Sequence, residues 1–176
     1  MNEKGAYYVG MKIVILGDTH IPKRAKHFPK RLLAELKTAD AIIHTGDFQT
    51  IDVYNDLRVF APVHGVIGNV DSEELQQALP SSLLLPFNDV TIGVIHGHGK
   101  GKTTEKRALL AFEHEQVDAV IFGHSHIPTH KQIGDITLFN PGSATDKRRE
   151  KQFSFGLLYI QKNTLRFEHV FYDSKD

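Results

Sequence analysis

Short runs of apolar, β-branched residues recur along the chain at 12–16 (KIVIL), 41–44 (AIIH), 63–67 (VHGVI), 91–95 (TIGVI) and 117–122 (VDAVIF). Runs of this length without strict polar alternation predict strands buried on both faces. Segments with helical spacing lie between several of them. Leu32, Leu33 and Leu36 form a stripe behind Pro29, a residue tolerated at a helix start. Val53, Leu57 and Phe60 form another. Asp71 or Ser72 can cap the segment 73–79 (EELQQAL), and Thr103 or Thr104 can cap 105–115 (EKRALLAFEHE). Short apolar strands alternating with helices predict βαβ units and a mostly parallel sheet covered on both faces.

The helical pattern stops after Gly123. Segments 129–133, 136–139, 155–160 and 165–171 predict strands, with turns at Gly134-Asp135, Asn140-Pro141-Gly142 and Asn163. Segment 82–87 predicts a further strand, paired with 91–95 as a hairpin across Asn88-Asp89. An α/β N-terminal half followed by a β-meander predicts one domain over 11–176, two packed sheets with helices outside. Residues 1–10 fit no periodic pattern, and Met11 opens a clean strand. Met11 is the expected natural start, with 1–10 an upstream extension or non-native remnant.

The ends of the strands carry the chemistry. The first run closes in Gly17-Asp18-Thr19-His20, the second in Gly46-Asp47, the third in Gly68-Asn69-Val70-Asp71. The fourth closes in His96-Gly97-His98 and the fifth in Gly123-His124-Ser125-His126. Ligands bind at the carboxyl ends of parallel strands, and glycines there permit positive φ and close backbone approach. One rim is then expected to collect Asp18, His20, Asp47, Asn69, His96, His124 and His126. Any one of these alone is an ordinary turn or a hydrogen-bonded histidine. Their recurrence at successive strand ends points to metal, because so many polar groups at one place are costly to leave unpaired.

Composition narrows the choice. Cysteine is absent, which removes disulfides, thiolate metal sites and cysteine nucleophiles, whereas histidine numbers 11. Oxygen and imidazole donors suit Mn, Fe, Zn, Ni or Mg-like ions. A carboxylate bridging two ions sets them roughly 3.5–4 Å apart, the spacing of two-metal hydrolytic sites. Two divalent ions less the charges of Asp18, Asp47 and a bridging hydroxide leave one positive charge, which suits a singly charged phosphodiester. Lys+Arg and Asp+Glu both number 21, so the chain lacks the positive excess expected of a strong nucleic-acid or polybasic membrane binder. No secretory apolar segment or run of about 18 apolar residues occurs, and a cytoplasmic protein is expected.

In order, Asp18-x-His20, Gly46-Asp47, Gly68-Asn69-x-Asp71, His96-Gly97-His98 and Gly123-His124-x-His126 resemble the motifs of calcineurin-like metallophosphoesterases. The turn Asn140-Pro141-Gly142-Ser143 and the β-rich tail are most similar to the small YfcE-like phosphodiesterase branch. The resemblance implies a four-layer α/β/β/α sandwich, two packed mixed β-sheets flanked by helices. It implies two divalent ions, Mn2+ first, with Ni2+, Fe2+, Zn2+ or Mg2+ as alternatives. Asp18, His20 and His126 would hold one ion, Asp47 would bridge, and Asn69, His96 and His124 would complete the other. Asn69 would also steady developing charge, and Asp71 would orient a neighbouring donor or ligand rather than bind metal. His98 would face substrate or stand behind the ligands, the alternative being a surface histidine. The implied reaction is hydrolysis of a small phosphodiester or nucleotide-like substrate by a metal-bridging hydroxide attacking phosphorus.

One departure matters. Many relatives carry His where this chain has Val70, which cannot protonate a leaving group. General-acid help is worth about 10²–10⁴-fold, so slow turnover of ordinary monoesters is expected. Lys23, Arg24 and Lys26 read as a solvated basic turn, with a substrate-phosphate contact as the alternative. His44, His64, His114, His130 and His169 read as structural or surface residues. The stretch 96–104 misses the P-loop spacing by one residue, and Ser143 lacks a Gly-x-Ser-x-Gly elbow. A phosphomonoesterase remains an alternative, as does a non-catalytic scaffold such as the small retromer subunit, which shares the fold. Ligand retention separates scaffold from enzyme, and each expected ligand position here holds a competent residue. A homo-oligomer is compatible with the composition.

Overall fold

The computed structural model describes residues 10–176, so the expected extension lies outside the described residues except for Gly10. The elements run β1 Met11–Leu16, α1 Lys30–Leu36, β2 Ala41–His44, α2 Ile51–Arg58, β3 Val63–Gly65, α3 Glu73–Ala78, β4 Ser82–Phe87, β5 Val90–Ile95, α4 Thr104–Leu110, β6 Ala119–Phe122, β7 Thr129–Ile133, β8 Ile136–Asn140, β9 Phe153–Gln161 and β10 Thr164–Tyr172. They build two five-stranded sheets, ordered β10-β9-β1-β2-β3 and β4-β5-β6-β8-β7. In the first sheet β1, β2 and β3 run parallel out to one edge and β9 and β10 are antiparallel at the other; in the second β5, β6 and β8 run parallel at the centre, with β4 and β7 antiparallel at the two edges. No helix among the described residues is long and apolar enough to cross a membrane.

Alternate residues of the apolar runs face opposite ways. Ile13, Ile15 and Ile43 meet Ile92, Val94, Ile121 and Phe139 between the sheets. Val14, Leu16 and Ile42 face outward onto Leu32 and Leu36 of α1, Val53 and Leu57 of α2 and Leu75 of α3. Val120, Phe122 and Leu138 cover Ala108 and Phe112 on the other side. The layers are therefore helix, sheet, sheet, helix. Burying an apolar side chain on either face is worth about 1.5–3 kcal/mol, which is why these strands show no polar face.

The expected sandwich of two packed mixed sheets is present, each sheet covered by helices on one face and by the other sheet on the second. Three finer expectations are corrected. The C-terminal strands are not one meander: β7 and β8 complete the second sheet, while β9 returns to pair with β1. That pairing supplies hydrogen-bond partners for the edge of β1 left free by β2. The helix expected to reach residue 115 ends at Leu110, where Phe112 N–H and Glu113 N–H bond three residues back instead of four. Glu113 and Glu115 at that end oppose the helix dipole. β3 stops at Gly65 rather than residue 67, because the Ile67 N–H turns to the Pro80 carbonyl. The capping residues are Ser72, which accepts from Leu75 N–H, and Thr103, which accepts from Lys106 N–H.

Candidate metal centre

The strand ends of the two sheets meet at one edge of the sandwich, and Asp18, His20, Asp47, Asn69, His96, His124 and His126 meet with them. The rim is shared: β1, β2 and β3 bring the first four of these residues, and β5 and β6 bring the three remaining histidines. Main-chain bonds tie the loops together, from Asp18 N–H to the Gly46 carbonyl (2.9 Å), His20 N–H to the Asp47 carbonyl (3.1 Å) and Gly123 N–H to the His96 carbonyl (3.1 Å). Asp18, His20, Asp47, His124 and His126 all adopt left-handed backbone, with φ of 51, 46, 59, 67 and 61°. The expectation that glycines supply positive φ at the strand ends holds at Gly46 and Gly97, with φ of 98 and 89°, but is not the whole account. The ligand-type residues bear that strain themselves, at roughly 1–2 kcal/mol each. Gly68 instead makes room: a Cβ there would lie 2.0 Å from Asp47 Oδ1.

Two triads result. Asp18, His20 and His126 offer ligand atoms within 4.8 Å of one another, and so do Asp47, His96 and His124. His126 Nε2 lies 3.3 Å from His20 Nε2 and 3.5 Å from Asp18 Oδ1. Asp47 Oδ2 reaches both groups, 3.6 Å from His20 Nε2 and 3.3 Å from His96 Nε2. Asn69 Oδ1 sits 3.1 Å from His96 Nε2 and 3.1 Å from His124 Nδ1, an exposed residue closing the second triad from above.

The hydrogen bonds behind the rings decide what those atoms carry. His96 Nδ1 lies 2.8 Å from the Thr45 carbonyl, and His126 Nδ1 lies 2.5 Å from the Asp146 carbonyl. A carbonyl only accepts, so each Nδ1 bears the proton and each neutral ring aims an Nε2 lone pair at the centre. In both triads lone pairs then face carboxylate or amide oxygens with nothing positive between them. Asp18 Oδ1 is fully buried and has no hydrogen-bond partner. The donor set therefore fits divalent cations, which would satisfy that orphaned oxygen and the convergent lone pairs together.

Proton affinities reflect the same crowding. Burial pushes the Asp18 carboxyl up to about 7, with the Asp47 charge adding to it. Burial also pushes Asp47 up, but the His96 hydrogen bond and charge outweigh it and hold the carboxyl at about 2. Burial lowers His124 and His126 to about 4 each. For His96 burial is outweighed by Asp47 and Asp18, and its proton affinity rises. Without a cation, the two carboxylates draw a proton towards His96.

Asp71 binds no ring. Its Oδ2 accepts from Asp47 N–H (3.0 Å) and Gly68 N–H (2.7 Å), and its Oδ1 from Gln49 N–H (2.8 Å). It fixes the loop that aims Asp47. Removing such supporting groups costs about 10–100-fold in metal affinity, so Asp71→Ala is expected to weaken Mn2+ binding by that factor in a chelator competition titration. His98 is exposed at the rim, its ring 5.4 Å from that of His96 and 6.3 Å from that of His124. Val70 is 46% exposed, with its N–H on Asp47 Oδ1. Lys23, Arg24 and Lys26 are exposed, and Arg24 pairs with Asp146 at 3.4 Å.

Several supporting groups carried no usable signal in the sequence. The Thr45 and Asp146 carbonyls orient two rings, and a main-chain oxygen leaves no mark on residue type. Buried Ser143 donates to the Asp18 carbonyl at 2.8 Å, so the Asn-Pro-Gly-Ser turn buttresses the first loop. His44 is buried against Phe48, with Gly46 N–H on its Nδ1 and Thr19 Oγ1 at its Nε2. Arg107 donates to the carbonyls of Gly97, Gly101 and Lys102, holding the His98 loop on α4.

Stacked mixed sheets whose strand ends gather two nitrogen-oxygen triads define a metallohydrolase-type sandwich. The chain belongs to the calcineurin-like phosphoesterase superfamily, whose domain model matches residues 11–163. It is 35% identical over 140 residues to a probable metallophosphoesterase of Methanothermobacter thermautotrophicus, covering 78% of this chain and 80% of that one. It is 37% identical over 139 residues to a probable metallophosphoesterase of Methanocaldococcus jannaschii, covering 78% and 70%. Vps29 of Entamoeba histolytica, solved in complex with zinc, superposes with a TM-score of 0.73 at 27% identity, over 92% of this chain and 99% of that one. Membership and the two triads together indicate divalent metal binding.

Proposed function

We propose that this protein is a dinuclear metal-dependent phosphodiesterase acting on a small or nucleotide-like phosphodiester, with Mn2+ the working ion, in the cytoplasm. Its reach across both triads makes Asp47 the bridging ligand, between Asp18, His20 and His126 on one side and Asn69, His96 and His124 on the other. That reach, with the orphaned Asp18 Oδ1 beside it, is the observation that carries the reading. When bound, the ions supply an activated water for in-line attack and neutralise charge on the phosphoryl oxygens.

The chain's own groups do the rest. The His20, His96 and His126 rings offer lone pairs from fixed positions, so little reorganisation accompanies binding. The Asn69 carboxamide and the His98 ring stand at the open side, where a phosphoryl oxygen would accept from them. Burial lowers the proton affinity of His98, which leaves its ring neutral near pH 7 and suits it to donate a hydrogen bond rather than a full proton. Val70 cannot protonate a poor leaving group, which favours activated diesters.

Hydrolysis of matched nitrophenyl diester and monoester substrates, read beside metal content with added Mn2+, tests this. The expected result is diester preference of about 10-fold or more with two ions per chain. Monoester preference would overturn the substrate class. Two bound ions with no hydrolysis of either would favour the alternative, a protein-binding scaffold, which likeness to Vps29 supports. Val70→His is expected to raise kcat for a diester with an alkyl leaving group about 10²-fold while leaving the nitrophenyl diester unchanged.

A further inference from the structure

One cation beside the first triad has no part in the roles above. Arg148 lies in the loop after the Asn-Pro-Gly-Ser turn, exposed, with left-handed backbone at φ 50°. Among the described residues its guanidinium makes no hydrogen bond or ion pair. Its charge nevertheless acts on Asp18, His20 and His126, all three members of that triad. The arginine that acts on the second triad differs: Arg107, felt by His98 and His124, is spent on loop carbonyls.

Arg148 also borders a cavity of about 320 Å³ whose walls include Ser125, His126, Arg149 and Glu150. Arg149 likewise makes no side-chain hydrogen bond or ion pair among the described residues, whereas two other cations nearby are engaged. Lys147 donates to the Lys151 carbonyl and lies over the Phe153 ring, and Arg24 holds Asp146. The cavity thus opens beside His126, with an uncommitted guanidinium at its rim and the charges of Arg149 and Glu150 offsetting each other. It is too large for one inorganic ion and matches the lower end of small-molecule pockets. A guanidinium fork suits a phosphate, whose oxygens accept two parallel N–H bonds. A non-glycine residue in left-handed backbone, with no partner of its own, is the kind of local cost that accompanies a binding role.

We propose that this cavity is a second anion subsite, in which Arg148 binds a phosphate that the substrate carries in addition to its scissile diester. The substrate class is then a phosphodiester of a nucleotide-like molecule bearing a terminal phosphate. This rests on the phosphodiesterase reading above for its orientation relative to the reacting phosphorus. Charge-assisted hydrogen bonds of this type change binding by about 10- to 100-fold.

The test compares thymidine 5′-(p-nitrophenyl phosphate) with the same compound phosphorylated on its 3′ oxygen, in Mn2+-loaded protein. The 3′-phosphate is expected to lower KM by about 10-fold or more without changing kcat. Arg148→Gln should abolish the KM difference between the two substrates measured in that variant, and Arg148→Lys should keep part of it. Unchanged thermal unfolding of both variants shows the fold is intact. A calorimetric arm titrates thymidine 3′,5′-bisphosphate and thymidine 5′-monophosphate into the same proteins. If neither ester is hydrolysed but the bisphosphate binds tighter in an Arg148-dependent way, the subsite stands and the diesterase reading falls. If the nitrophenyl diester is hydrolysed while the 3′-phosphate brings no gain, or Arg148→Gln weakens both substrates equally, the subsite is overturned.

Discussion

Asp47→Asn is expected to reduce phosphodiester hydrolysis by about 10³-fold or more, the largest effect of any single change at the rim. Asp47 Oδ2 faces a ring nitrogen of each triad, at 3.6 and 3.3 Å, and no other carboxylate lies so close to both sides. Asparagine keeps the shape and can still accept the Val70 N–H, so the loop should survive. What is lost is the negative charge that two cations would share. Bound metal should fall below two ions per chain, read by elemental analysis after dialysis, together with the loss of rate. Full activity in this variant would exclude the proposed chemistry. Full metal content with lost activity would instead confine the role of Asp47 to the reacting groups.

Asp18→Asn should do something opposite to the fold: stabilise the metal-free protein at high pH while weakening its response to metal. The folded carboxyl, raised by burial to about 7 from 3.8, holds a proton that the unfolded chain releases near pH 4. Between those values the folded state binds more protons, so its stability falls as pH rises, and above about pH 7 the whole penalty is present. At about 1.4 kcal/mol per pH unit the penalty is about 4 kcal/mol. Asparagine removes that charge, and its amide can face the His126 and His20 nitrogens, which lie 3.5 and 4.0 Å from Asp18 Oδ1. A domain this size gains about 2–4 °C in Tm per kcal/mol. The gain should appear near pH 8 and vanish below about pH 4. His124 and His126, held at about 4, tilt the other way and lose stability as pH falls from 6.5. The difference between variant and wild type at each pH therefore isolates Asp18. Added Mn2+ should raise the Tm of wild type near pH 8 by more than that of the variant, which keeps Asp47, His96 and His124, and an equal rise in both would refute the assignment of Asp18.

Much of this was legible before any coordinates. A buried strand must be apolar on both faces, so β1, β2, β5 and β6 announced themselves within one or two residues. Paired carboxylates and imidazoles after such strands have few physical uses, and the gathering of Asp18, His20, Asp47, Asn69, His96, His124 and His126 followed from parallel strands sharing a direction. The caps of α3 and α4 were local too, because a Ser or Thr side chain reaches only its own first turn.

Other features were beyond any local pattern. Nothing in residues 153–161 says that β9 returns to β1 instead of extending β8, since both choices bury the same apolar surface and only the free edge of β1 decides. Left-handed backbone at five ligand-type positions is imposed by neighbouring loops, not by residue preference. Residue types and their order thus determined the layers, the strand ends and the chemical character of the site, because burial and periodicity act over a few residues. Which nitrogen His96 and His126 turn inward and which carboxylate spans both triads were decided by contacts between distant segments. Those contacts are set by the main-chain carbonyls and edges that packing brings close, and these are the same for every amino acid.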